Sequence, residues 1–333
     1  MSFIQKFTGL LLAVLLLAAV NIAQAEDAPT DAISSATPYS VEEGTTGGVK
    51  SEAQIKAESG ALNVTQSRIR DAGVFQQSQG QWWRTLRNGP VTFYGGWLLM
   101  LMPSIILGFY FVFGPMKLHD APSGRLMQRF SRKEQVIHWS TAASFVILGL
   151  SGIVILFGKH VLIPLVGHDV FSWFAVIAKN LHNVVGPVFA VCVVFMFVNF
   201  VRDNLFRKID LAWFVNAHLV LTGRKHVPSW KYNGAEKLWF WGGVTLLGLV
   251  VSASGLVLDF PVFNQSRQVM QLANLAHGIG ALLFLAAGLG HIYMGTIGAE
   301  GAFKAMKTGQ VDETWAREHH ELWYQQHKES SQP

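Results

Sequence analysis

Five long apolar runs decide what this chain can become. They lie near 91–115, 137–158, 181–201, 238–258 and 273–297, and each is close to the roughly 20 residues that a helix needs to cross a bilayer. Apolar residues clumped this way are spans, not the one-faced stripe of a soluble helix. Backbone groups in hydrocarbon must be satisfied within their own segment, so the expected fold class is all-α, an integral membrane helical bundle. Composition agrees: charged residues are 14% of the chain against roughly 25% in soluble domains. The 11 Trp and 23 Phe suit a molecule with two membrane–water interfaces.

Charge placement predicts the orientation. With residue 90 outside, the inner loops hold Lys117, Arg125, Arg129, Arg132 and Lys133, then Arg202, Arg207, Lys208, Arg224, Lys225, Lys231 and Lys237. The C-terminal tail adds Lys304, Lys307 and Arg317, whereas the outer loops hold only Lys159, Lys179 and Arg267. Positive residues stay on the cytoplasmic side, so the net charge of +5 reports topology and not nucleic-acid binding. The expected location is a bacterial inner membrane, multi-pass, with the mature N-terminus periplasmic and the C-terminus cytoplasmic.

The flanks divide by composition. Residues 1–25 read as a signal peptide: Lys6, a short apolar stretch from Gly9 to Val20, then Ala23-Gln24-Ala25. Residues 26–90 read as a largely flexible periplasmic arm, too poor in apolar residues to offset its ordering entropy. Trp82 and Trp83 with Arg84 and Arg87 read as a membrane-surface anchor. A first span follows at 91–115, then a core over 116–300 and a cytoplasmic tail over 301–333. Within the core, Leu211 to Val215 with Leu219 and Leu221 predicts a short helix along the inner surface. No internal repeat is evident. The single cysteine, Cys192, excludes an intrachain disulfide, a cysteine-ligated cluster and a CxxCH attachment site.

Twelve histidines are present. His119, His160, His168, His218, His226, His319, His320 and His327 fall in loops or tail and read as solvated or interfacial. His138, His182, His277 and His291 fall in or at the ends of the spans, where an imidazole needs a partner. Depth sorts them into two couples, His138 with His291 and His182 with His277. On the fifth span the separation is 291 − 277 = 14 residues, about 21 Å and nearly four turns, so both rings face one side. A zinc site gathers about four ligands at one place. Two imidazoles on facing helices instead suit the axial positions of a haem, so the expected cofactors are two b-type haems (iron). With both axial positions filled, such a haem relays electrons and does no bond chemistry. Gly186, Gly278 and Gly280 would make room beside His182 and His277, and Gly149 and Gly152 beside the other haem.

The motifs around these residues resemble a known family. Val136-Ile137-His138-Trp139, Leu181-His182 through Gly186, Leu275-Ala276-His277-Gly278 and His291-Ile292-Tyr293-Met294 are similar to the four haem-ligand motifs of the gamma (cytochrome b) subunit of membrane-bound, quinone-linked formate dehydrogenases. Lys231-Tyr232-Asn233 and the tail from Gly301 to Tyr324 are similar too. The resemblance covers about 130–326 and implies a four-helix dihaem cytochrome b core, to which the span 91–115 is an addition. It implies a quinone site at Asn233 beside the cytoplasmic haem, with menaquinone or ubiquinone as acceptor. The family's Gly-Gln after that motif reads Ala235-Glu236 here, leaving Glu236 a proton relay or a solvated charge. It also implies partners: an iron–sulfur beta subunit and a molybdenum/tungsten catalytic alpha subunit that oxidises formate. The extra first span would replace the beta subunit's own membrane helix. Competing readings are the cytochrome b of a nickel–iron hydrogenase or a thiosulfate reductase, a histidine-dependent transporter, and a haem-free anchor. The spans' lack of Asp and Glu and of inverted repeats speaks against the transporter.

Overall fold

The computed structural model describes residues 78–329; the expected signal peptide and most of the expected arm lie outside them. Among the described residues, four helices are long and apolar enough to cross a membrane: Trp82–Phe113, Arg132–Phe200, Gly234–Asp259 and Arg267–Gly298. The second has 69 residues and breaks at Gly167, whose φ of 80° and ψ of 174° are not helical. Straight, it would run about 100 Å. Instead its two arms, 132–166 and 168–200, fold against each other: the Ser151 hydroxyl meets His182 at 2.9 Å, and Gly158 lies under the Phe171 ring. Five crossings result, each longer than its apolar run alone suggests. The loop expected over 159–180 is helix up to and beyond the turn, because only Gly167 has to adopt a positive φ. The helix expected to begin near residue 91 already begins at Ser78 and passes through a π-helical stretch, Arg87–Val91, around Pro90.

Local signals start and stop these elements. Ser131 and Glu134 form a reciprocal capping box at the head of the second span, and Ser266 caps the fifth by accepting from the Val269 amide at 3.3 Å; each satisfies amides that a helix end leaves orphaned. Gly114, at φ 69°, ends the first span. That span packs mainly on the fifth, where Gly95 has no space for a β-carbon beside Leu282. The short helix expected near 211–221 is present as two pieces, Lys208–Val215 and Ala217–Leu221. It is pinned by a buried ion pair, Lys237 Nζ to Asp210 Oδ2 at 2.7 Å, with the two side chains 0% and 3% exposed.

The tail is part of the core. Gln310–Asp312 pairs antiparallel with Leu126–Gln128, Leu126 opposite Asp312. Trp315 and Trp323 are then buried in one apolar cluster with Phe130, Tyr232, Phe200 and Ile137. This cluster closes the His138/His291 end of the bundle. A second cluster, Phe189, Val193, Val251 and Phe284, fills its middle.

Candidate cofactor-binding site

The four span histidines converge in two couples. His182 and His277 have ring centroids 5.9 Å apart, and His138 and His291 have theirs 6.3 Å apart. An imidazole–metal bond is about 2 Å and the ring centre lies about 1 Å further, so two rings across one ion sit about 6 Å apart. Both couples have that spacing. His277 and His291 share one continuous helix, Arg267–Tyr293, which keeps the two sites about 21 Å apart along its axis. Among the described residues no cluster of three or more His, Cys, Asp or Glu suits a metal ion; each couple brings together two imidazoles.

At the His182/His277 couple, neighbouring helices set the tautomer. The Ser151 hydroxyl donates to the Ile147 carbonyl at 2.9 Å, so its oxygen accepts Nδ1–H from His182 at 2.9 Å. His277 Nδ1–H points at the Val251 carbonyl at 3.0 Å, with Ser254 Oγ at 3.3 Å. Ser254 Oγ–H is itself directed to the Val250 carbonyl at 2.5 Å. In both rings Nε2 is therefore the unprotonated nitrogen, the form that ligates metal. Each serine is followed by a glycine against the same ring. A β-carbon on Gly152 would stand 3.5 Å from His182 Cε1, and one on Gly255 would stand 3.1 Å from His277 Cε1. A cavity of about 400 Å³ opens beside the couple, walled by all five spans, with Leu99, Gly149, Gly186, Gly255 and Gly278 in its lining.

Three glycine expectations change. Gly149 and Gly152 line this cavity and not the other site; Gly152 is 152 − 138 = 14 residues beyond His138, the same axial step that separates the two couples. Gly280 packs on Val250 and Val251, serving helix contact instead of making room. The apolar period does not single out the Ser-Gly pairs, yet a signal exists: Ser151-Gly152-Ile153-Val154-Ile155 and Ser254-Gly255-Leu256-Val257-Leu258 are a short internal repeat on alternate spans.

The His138/His291 couple is held by tryptophans. Trp239 stacks on His291 with centroids 4.6 Å apart and planes 9° apart, and Trp139 meets His138 edge-on at 5.1 Å. Trp239 opens a π-helical stretch, Trp239–Leu247, whose wider turn no apolar period reveals. His138 Nδ1 is buried without a hydrogen-bond partner.

A charged cluster lies next to it. Asn233 caps the helix Gly234–Leu238: its side-chain oxygen accepts from the Glu236 amide at 3.1 Å, while Glu236 Oε2 accepts from the Asn233 amide at 2.8 Å. The other Glu236 oxygen takes Arg129 Nη2 at 2.9 Å. That guanidinium is buried among the rings of Phe130, Tyr232 and Trp315. Glu236 is thus an anchored carboxylate and not a freely solvated one. The Tyr232 hydroxyl is buried without a partner, and burial raises its pKa well above the usual phenol value. Two tail histidines expected to be solvated are not. His320 is 1% exposed, donates Nδ1–H to the Trp230 carbonyl at 2.7 Å, and has its pKa pushed well below normal by burial. Burial also lowers His319 to about 4. His119, paired with Glu318 at 3.3 Å, is exposed as expected.

The family model described as prokaryotic cytochrome b561 matches residues 129–309, more than half of the chain. Among curated proteins, the cytochrome b556(Fdn) subunit of nitrate-inducible formate dehydrogenase from Escherichia coli K12 is 29% identical over 203 residues, 58% of this chain and 88% of that protein. The cytochrome b556(fdo) subunit of formate dehydrogenase from the same strain is 27% identical over 212 residues, covering 61% and 94%. The formate dehydrogenase cytochrome b556 subunit of Haemophilus influenzae is 24% identical over 202 residues, covering 58% and 79%.

Proposed function

Because this chain belongs to the prokaryotic cytochrome b561 family, a membrane family that implies haem b, we propose that it is the electron-transfer subunit of a quinone-linked formate dehydrogenase. The relatives' names support the formate assignment. The residues fit the group the family implies: two imidazole couples spaced to hold one metal ion each, Nε2 left bare by the Nδ1 contacts of His182 and His277, and a cavity lined by glycines. In this reading His182 and His277 hold one haem and His138 and His291 a second. Bound haem iron supplies reversible one-electron exchange.

This chain's own residues supply the rest. The serine and carbonyl contacts to His182 and His277 fix ring orientation and ligand basicity. Trp239 limits rotation of His291 by stacking. The Asn233 side-chain oxygen is committed to its helix cap, which leaves the amide NH2 to donate to a quinone carbonyl. Glu236, fixed by Arg129, stands as the nearby carboxylate for proton supply. Formate oxidation belongs to partner subunits, an iron–sulfur protein and a molybdenum or tungsten protein on the periplasmic side. Electrons then move inward to quinone, against a negative-inside potential that opposes each full crossing by about 2.3 kcal/mol per 100 mV.

The convergence of the four histidines into two couples carries this reading. It is tested on the native complex by a dithionite-reduced spectrum, haem quantification, and a formate-versus-hydrogen assay. Two b haems per chain, one of them lost in His291→Ala, and reduction of quinone by formate are expected. A colourless chain refutes the haem assignment, and activity with hydrogen alone refutes formate.

A further inference from the structure

The cavity beside His182 and His277 has a mainly apolar lining that includes two cations. Arg87 and Lys179 both line it, with Asn183, Asn274 and Asp259 around them. Lys179 is one turn before His182 and is held by Asn183 Oδ1 at 2.5 Å. Arg87 comes from the N-terminal segment that precedes the family match. It donates to Asn88 at 3.1 Å and lies 6.0 Å from the Trp83 ring. Among the described residues neither cation makes a contact ion pair. Asp259 is close enough to interact with Lys179, which leaves Arg87 as the uncompensated charge. A b haem has two carboxylates on one edge and hydrocarbon on the others. A guanidinium is the side chain best shaped for a carboxylate.

Resting on the proposed haem assignment, we propose that Arg87, assisted by Lys179, binds the propionate carboxylates of the haem held by His182 and His277, so that a segment outside the family core completes this site. Val91 and Leu99, from the same segment, also line the cavity. The plain alternative is that Arg87 anchors the helix to lipid headgroups, as exposed Arg84 can.

Arg84 therefore serves as the control. Full-length wild type, Arg84→Ala, Arg87→Ala, Arg87→Lys and Lys179→Gln are purified and compared by haem stoichiometry, rate of haem loss to a scavenger globin, and the midpoint potentials of the two haems. Losing a charge-assisted contact is expected to speed loss of one haem roughly 10- to 100-fold in Arg87→Ala and to lower that haem's midpoint. The other haem should be unmoved, Arg84→Ala should match wild type, and Arg87→Lys should recover part of the loss. If Arg87→Ala and Lys179→Gln both match Arg84→Ala on all three readouts, the proposal is overturned while the haem assignment stands. A wild-type chain without haem overturns the assignment itself.

Discussion

Replacing Ser151 and Ser254 separately by alanine should have unequal effects, although the two occupy equivalent places. Ser151 Oγ is the acceptor of normal geometry for His182 Nδ1 at 2.9 Å. Its loss leaves that nitrogen the Leu148 carbonyl, which the serine hydroxyl also contacts at 3.2 Å. His277 Nδ1 keeps the Val251 carbonyl at 3.0 Å whether or not Ser254 is present. Removing a hydrogen bond to a buried group costs about 1–2 kcal/mol, or roughly 5- to 30-fold in affinity, when no equal acceptor replaces it. Ser151→Ala should therefore release haem roughly 5- to 30-fold faster, and Ser254→Ala within about 2-fold of wild type. Ser151→Thr should restore retention, since threonine keeps the hydroxyl and its bond to the carbonyl one turn back. The assay is transfer of haem from the purified full-length chain to excess scavenger globin, followed in the Soret band. Equal acceleration in both alanine variants, or none in Ser151→Ala, would refute the tautomer argument.

Lys237→Met should destabilise the protein by about 3–5 kcal/mol by stranding Asp210 in a buried site, and adding Asp210→Leu should recover most of it; detergent-phase thermal melts of the single and double variants check this. Gly255→Val should empty the His182/His277 site selectively, because even a β-carbon there stands 3.1 Å from the His277 ring; a reduced spectrum showing both haems would count against it. His319, held at about 4 by burial, stays neutral in the folded protein while the unfolded chain takes up a proton below its ordinary pKa near 6.5. Stability should then fall as pH drops from 6.5 to 4, by at most about 3 kcal/mol from this group. Melting temperature against pH should show that slope, and His319→Asn should reduce it, leaving the part of the same sign that buried His320 contributes.

The spans and the histidine couples are legible in the sequence because both are carried by period and spacing along single helices. A step of 14 residues from His277 to His291 already fixes both a distance and a shared face, since helix rise and pitch are constants. The reversal between the arms 132–166 and 168–200 is not legible, since the only residue within the element that leaves the helical conformation is Gly167. Burial of His320, Lys237 and Arg129 escapes for another reason. Charged and imidazole side chains in loops are usually solvated, and their burial here is imposed by residues far away in sequence, such as Trp315 on Arg129 and Asp210 on Lys237. The role of Ser151 and Ser254 is hidden because serine in a span ordinarily bonds its own helix, and theirs do that as well.

The pairing of Leu126–Gln128 with Gln310–Asp312 sets an order of assembly. Leu126 and its partner Asp312 are 312 − 126 = 186 residues apart, and the ribosome makes the second strand only after all five apolar spans have been synthesised. Until then Gly309 cannot offer its carbonyl to the Arg129 and Phe130 amides, and Trp315 and Trp323 cannot cover that end. Maturation of the His138/His291 pocket therefore has a built-in window: synthesis of the spans precedes sealing, which waits for Gly309, Trp315 and Trp323.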